Sequence, residues 1–175
     1  MLIQTERLRL IPCDESLLRA IVAGPKETQA HLGVLVPSGW PEFPDAYPHA
    51  LERVVADGDL RPWWTYVFID DRRGALVGSG GFAGRPTEHG VVELGYETAP
   101  SFRGRGYARE AANGLVAFAF GQVVITAVDA HTLPERNASA RVLERNRFRH
   151  IGVVEHPEDG MIWHWRVTRD EWEAR

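Results

Sequence analysis

Apolar residues follow two rhythms along this chain, and the change from one to the other marks its elements. Leu8, Leu10 and Pro12 alternate with Arg7, Arg9 and Ile11, which predicts an opening strand that ends at Pro12. Asp14 then reads as a helix N-cap, with Glu15 in the first turn and an apolar face of Leu17, Leu18, Ile21 and Val22. Gly24-Pro25 stops that helix, and a second helix is expected over 50–56. Strands are predicted over 63–69, 75–83 and 91–98, joined by short Gly-containing turns as an antiparallel meander. A helix over 107–120, a strand over 123–130, a helix over 138–145 and strands over 148–154 and 161–167 complete the pattern, before a short helix from 170 to 175. Strand, helix and strand with short links form a crossover unit. The expected fold class is therefore α/β (α+β), a mixed and mostly antiparallel sheet of about seven strands flanked by about four helices.

Residues 32–48 break both rhythms. Gly33, Pro37, Gly39, Pro41, Pro44 and Pro48 are interleaved there with Trp40, Phe43 and Tyr47, and Trp63 and Trp64 follow not far beyond. A long irregular segment this aromatic is expected to be packed and functional, since a disordered one would expose too much apolar surface. No linker, repeat or low-complexity tract interrupts the chain, so one domain over 1–175 is the economical reading.

Composition narrows the partners. A net charge of −4, from 20 Lys+Arg against 24 Asp+Glu, argues against a nucleic-acid binder driven by bulk charge. Cys13 is alone, so no internal disulfide is expected and a reducing compartment fits. The first residues lack the basic and apolar regions of a secretory signal. The weakly polar stretch 108–128 is too interrupted for a membrane span. The expected address is the cytoplasm. The seven histidines show no metal-ligand spacing, and no metal is expected. His131, His150 and His164 fall in or beside strands, where partnered structural roles are expected, and Trp163 and Trp165 read as core.

The chemistry concentrates where a strand ends at Pro100 and a helix begins after Arg103-Gly104-Arg105-Gly106. Unpaired N–H groups at a helix start, with the positive end of its dipole, favour a phosphate. Gly104 and Gly106 would let the backbone approach the anion, and Arg103 and Arg105 would add charge-assisted hydrogen bonds. The spacing is that of neither a P-loop nor Gly-x-Gly-x-x-Gly. From the residues alone, a solvated loop remains an equal reading.

Arg103-Gly104-Arg105-Gly106-Tyr107-Ala108 resembles the Arg/Gln-x-x-Gly-x-Gly/Ala signature of the GCN5-related N-acetyltransferase (GNAT) superfamily. Thr5-Glu6-Arg7-Leu8-Arg9-Leu10, Glu93-Leu94-Gly95-Tyr96, Glu110-Ala111, Ala130-His131-Thr132, Asn137-Ala138-Ser139 and Arg141-Val142-Leu143-Glu144 are similar, in order, to its RimJ/RimL-like branch. The resemblance implies the acyl-CoA N-acyltransferase fold, its sheet splayed into a V, and acetyl-CoA as co-substrate. It implies that Tyr96, Glu97 and Thr98 offer backbone groups to the pantetheine arm. Arg103, Gly104, Arg105, Gly106, Tyr107 and Ala108 would hold the pyrophosphate, and Asn137 would reach the arm or cap its own helix. Three positions depart from the pattern: Arg136 where Asn is frequent, Arg147 where Gly is usual, and Leu143 where some relatives place a tyrosine acid. Asn146 is expected to supply the left-handed helix cap instead of Arg147.

Acetyl transfer to an amine needs a free lone pair, so a proton must leave. Glu93 is the preferred base, Glu97 the second choice, and Asp129 and His131 the third; a structural carboxylate paired with an arginine is the competing reading for Glu93. Ser139 is the candidate donor to the leaving thiolate, although a first-turn serine more often satisfies backbone N–H groups. Trp40, Tyr47 and Trp64 are the candidate acceptor-binding residues, and packing is the competing role for each. The expected activity is acetylation of a primary amine on a small molecule or a peptide or protein N-terminus. No nucleic-acid or membrane partner is expected, and sheet edges of this kind can pair in a homodimer. A non-catalytic acyl-CoA-binding or sensing domain is the alternative.

Overall fold

Alternate strand residues face opposite sides of a sheet, and here each side has its own core. In the computed structural model, which describes residues 1–174, Tyr66 and Phe68 join one buried cluster while Val67 and Ile69 join another. The elements run β1 (Ile3–Gln4), β2 (Leu8–Pro12), α1 (Glu15–Ala23), α2 (Pro25–Leu32), α3 (Ala46–Ala56), β3 (Thr65–Asp70), β4 (Ala75–Phe82), β5 (Val91–Thr98), α4 (Tyr107–Phe120), β6 (Ala127–Thr132), α5 (Ala138–Arg145), β7 (Arg149–His156), β8 (Gly160–Thr168) and α6 (Arg169–Glu173). Short 3-10 turns occupy Gly58–Trp63 and Pro100–Phe102. α4, α5 and α6 cover one face of the sheet. α1, α3 and the segment carrying Val36 and Trp40 cover the other.

The eight strands form one sheet in the order β1-β2-β3-β4-β5-β6-β8-β7. Between these strands every pairing is antiparallel except β5 with β6. β5 divides its length between two neighbours: Val91–Leu94 pair with β6, whereas Leu94–Thr98 pair with β4. Beyond Leu94 the sheet therefore opens between β5 and β6. The site grows from that opening.

Several boundaries differ from the sequence expectation, each for a local reason. β1 adds an eighth strand too short for its periodicity to register. Gly24-Pro25 ends α1 and also starts α2, because proline at the first helical position is preorganised for a helix. α3 begins at Ala46, ahead of the expected 50, with Pro48 in its first turn where no intrahelical N–H is required. Trp63 closes a 3-10 turn, so β3 starts at Thr65. Val123 and Val124 sit in an exposed turn before β6, with Val123 92% exposed. Arg147 itself takes the left-handed conformation, at φ 68°. Asn146 stays at φ −101°; its buried amide donates to the Arg109 and Val142 carbonyls and accepts from Asn113, tying α5 to α4. Leu143 is buried in the core of that face. The expected last helix is present as α6, and Arg175 lies outside the described residues. No helix among the described residues is long and apolar enough to cross a membrane.

Candidate active site

After the Pro100–Phe102 turn the backbone extends at Arg103, then takes positive φ at Gly104 (73°) and Gly106 (79°) before α4 starts. A Cβ at Gly104 would meet nothing within 4 Å. Conformation, more than space, is therefore what requires glycine here. No side chain caps α4, in contrast to α5, where Asn137 accepts from the Ala140 N–H at 2.9 Å. The first N–H groups of α4 are left for a ligand.

The turn is braced from behind. Glu110, in the first turn of α4, accepts hydrogen bonds from the Thr5 hydroxyl, the Arg7 N–H and Arg7 Nε, each at 2.6 Å. Arg7 Nη1 donates to the Arg105 carbonyl at 3.1 Å, and its guanidinium lies 4.6 Å over the Tyr107 ring. Burial opposes the Glu110 charge, but the bonds from Thr5 and Arg7 outweigh it and hold its carboxyl below the usual carboxylate range. Arg7 and Glu110 were legible only as parts of matching motifs, since nothing in their own spacing signals a brace.

A cleft of about 790 Å³ runs from this turn to the start of α5. Tyr96, Glu97, Thr98, Arg103, Gly104, Gly106, Tyr107, Ala108, Asn137 and Ser139 all line it. Arg105 does not; its guanidinium sits 5.7 Å from the Phe102 ring centroid. Tyr107 turns its phenol into the core, donating to Asp70 at 2.6 Å and accepting from Arg73 at 3.0 Å, so its backbone serves the cleft. Arg103 donates to Glu42 at 2.8 Å. Arg109, Arg141 and Arg145 also line the cleft, with no carboxylate partner among the described residues. Sequence reasoning missed these three because they sit apart on two helices. The uncapped helix start and these cations suit a phosphate-bearing ligand.

A second cleft, of about 340 Å³, lies on the other side of β5 and is lined by Tyr47, Trp64, Glu93 and Glu97 among others. The two clefts share Phe43, Tyr96 and Glu97 as a common wall. Trp40 is not on either wall. It is 4% exposed, and its indole N–H donates to Ser79 at 3.0 Å, so it packs in the second core, in place of the acceptor role expected from its loop. Tyr47 also donates to Ser79, at 2.8 Å. Ser79 in turn donates to Glu97 Oε1 at 2.7 Å, while the Glu42 N–H donates to Glu97 Oε2 at 2.9 Å. Both Glu97 oxygens are thus engaged in fixing residues 40–47 onto the sheet.

Glu93 is placed differently. Its Oε1 lies 2.9 Å from His131 Nδ1, and Oε2 has no partner among the described residues. A carboxylate only accepts, so the shared proton belongs to His131 Nδ1. His131 stacks on His164 at 4.8 Å, and His164 Nε2 lies 2.8 Å from Asp129 Oδ2. Arg166 clamps Asp129 through two bonds of 2.6 and 2.8 Å. His150 instead lies exposed beside Trp163 and Trp165, with ring centroids 4.9 and 5.4 Å away. Trp165 is buried and bonds Thr132 at 2.9 Å. Near the first cleft, the Tyr96 hydroxyl donates to the Ser139 carbonyl at 3.2 Å and accepts from Ser139 Oγ at 3.4 Å. Burial pushes the Tyr96 phenol up to about 12, so it stays protonated at neutral pH. Among the described residues no group of three or more histidine, cysteine or acidic side chains could hold a metal.

Asp129 makes a prediction about stability. Its burial opposes the charge, yet bonds from Arg166 and His164 hold its carboxyl below the usual range. A carboxyl lowered in the folded state stabilises above its unfolded value, near pH ~4, and that contribution fades as pH falls through the folded value. Asp129→Asn is expected to be less stable than wild type at pH 7 and to lose part of the decline below about pH 4. Urea unfolding at pH 7 and pH 3 measures both; parallel curves for the two proteins would contradict the assignment.

The comparisons with known proteins agree with this geometry. The acetyltransferase (GNAT) domain model matches residues 7–149. YjdG, an uncharacterized N-acetyltransferase of Bacillus subtilis (strain 168), is 28% identical over 167 residues, covering 94% of this chain and 96% of that protein. Among solved structures, RimL, a ribosomal L7/L12 alpha-N-protein acetyltransferase in complex with coenzyme A, superposes with a TM-score of 0.73 at 18% identity, covering 98% of this chain and 99% of the other. RimJ of Mycobacterium smegmatis, in complex with CoA-disulfide, gives 0.72 at 21% identity, covering 98% and 88%. These superpositions establish the acyl-CoA N-acyltransferase fold. With the family model spanning most of its length, the chain belongs to the GNAT acetyltransferase family and is an N-acetyltransferase.

Proposed function

We propose that this chain binds acetyl-CoA in the larger cleft and acetylates a primary amine seated in the smaller one, on a small molecule or a peptide or protein N-terminus. The observation that carries this reading is the shared wall of Phe43, Tyr96 and Glu97, which lets a thioester in one cleft meet an amine in the other. The family uses acetyl-CoA, and the residues here fit it: uncapped N–H groups at α4 and Arg103 suit the pyrophosphate, and the gap past Leu94 between β5 and β6 suits an extended arm. Bound there, acetyl-CoA supplies the activated acyl carbon. The protein's task is to orient the amine and handle two protons.

An alkylammonium loses its proton near pH ~10, so at neutral pH the site must take it. Glu93 takes it, directly or through a water, on the oxygen that His131 leaves open. His131, stacked on the anchored His164–Asp129–Arg166 group, holds that carboxylate in orientation. A leaving thiol titrates near ~8.5 and needs only modest help. With leucine at 143, Ser139 Oγ gives it by turning its proton from the Tyr96 oxygen, 3.4 Å away, to the sulfur, or a water does.

Calorimetric titration of acetyl-CoA tests the reading. Wild type is expected to bind in the micromolar range, and Arg103→Ala about tenfold more weakly, since one charge-assisted contact is removed. Arg105→Ala should change the affinity by less than about twofold, because Arg105 does not line the cleft. Absence of binding in the wild type would sink the proposal.

A further inference from the structure

Resting on that reading, we infer that the acceptor is a monocationic primary amine on a compact, apolar and uncharged body, as in an arylalkylamine or an N-terminal residue with a large apolar side chain. At about 340 Å³ the smaller cleft is near the lower end of small-molecule sites. Its charged lining is wholly acidic: Glu93 and Glu97 contribute, and no Lys, Arg or His does. An acceptor bearing a carboxylate would meet two like charges and no counter-ion in a partly desolvated site, whereas an ammonium is attracted.

The two carboxylates are not equivalent. Glu97 has both oxygens engaged by Ser79 and the Glu42 N–H. Glu93 alone keeps an oxygen open. One ammonium is therefore satisfied at Glu93, and a second, as on a polyamine, meets only the Glu97 oxygens, each already accepting one bond. Hydroxyl-rich acceptors fare no better. Tyr47 and Ser79 are bonded to each other and Tyr96 to Ser139, which leaves Thr65 as the one uncommitted side-chain hydroxyl on the described walls. The other side chains on its walls are apolar, Phe43, Trp64, Phe82 and Leu94 with two alanines, beside three glycines. The Arg53 guanidinium lies 5.7 Å over the Trp64 ring from α3 without lining the cleft. An apolar acceptor body buries itself on these walls, and a charged one cannot.

The test measures kcat/KM by CoA release for phenethylamine, methylamine, spermidine, a phenylalanine-led tripeptide amide and a glutamate-led one, with acetyl-CoA affinity measured separately. Phenethylamine or the phenylalanine-led peptide should exceed spermidine and the glutamate-led peptide by about tenfold or more, and whichever of the two is faster names the source. Phe43→Ala and Trp64→Ala should each raise KM for the preferred aromatic acceptor about tenfold, and by several-fold more than they raise it for methylamine. Phe43 is 65% exposed and belongs to neither core, so that variant tests the wall without risking the fold. Preference for spermidine or the glutamate-led peptide overturns the inference while the acetyl-CoA reading stands. So does an unchanged KM in Phe43→Ala. Failure to bind acetyl-CoA removes the parent reading, and the inference with it.

Discussion

Glu93→Gln is expected to lower turnover at neutral pH by about 10²-fold or more, with acetyl-CoA affinity within about twofold of wild type. The substitution keeps shape and can still accept from His131, but the amide cannot take a proton. The deficit should narrow as pH rises toward ~10, where the acceptor amine loses its proton unaided. Glu97→Gln is the comparison. Its carboxylate is bonded to Ser79 and the Glu42 N–H, so its loss should loosen residues 40–47 and raise acceptor KM without that pH signature. Steady-state rates from pH 6 to 10 separate the two. Parallel profiles for wild type and Glu93→Gln would remove Glu93 from the proton transfer.

Gly106→Val is expected to weaken acetyl-CoA binding by at least about tenfold in a protein that still folds, given a left-handed penalty of about 1–2 kcal/mol for an ordinary residue and more for a β-branched one. Gly106 sits at φ 79°, and an added Cβ would meet only Arg7 Nη2 at 3.5 Å. Crowding is thus not the cause. Relief of the strain comes by rotating the backbone, which turns the N–H groups at the start of α4 away from the cleft. Gly33→Val provides the control, because Gly33 holds a similar φ of 69° at the end of α2, away from both clefts. Both variants should lose comparable stability in thermal unfolding, and only Gly106→Val should lose the ligand. Equal affinity in the two would show that the turn geometry does not hold the cofactor.

Much of the fold was legible where an element carries its own punctuation. α4 and α5 lie where periodicity placed them, bounded by Gly106 and Asn137. β5 matches its expected limits because Pro100 follows shortly after it. Misreadings fell where one residue admits two roles. Gly24-Pro25 both stops and starts a helix. Trp40 lies in an irregular segment, yet its indole reaches a buried serine on β4. The left-handed cap fell on Arg147 because Asn146 is held by Arg109 and Asn113 on another helix, which no local rule could anticipate.

The sequence by itself determined the order of most elements, the glycine turn ahead of α4 and the family, since these depend on local conformational preference and on residues close together in the chain. Tertiary structure decided which side chains act. It turned Arg105 toward Phe102, engaged both oxygens of Glu97, left one of Glu93 open, and set Arg109, Arg141 and Arg145 around one cleft. The physical reason is that a hydrogen bond to a distant residue engages a donor or acceptor outright. Which of several equivalent carboxylates stays available is therefore settled only when the strands and loops meet.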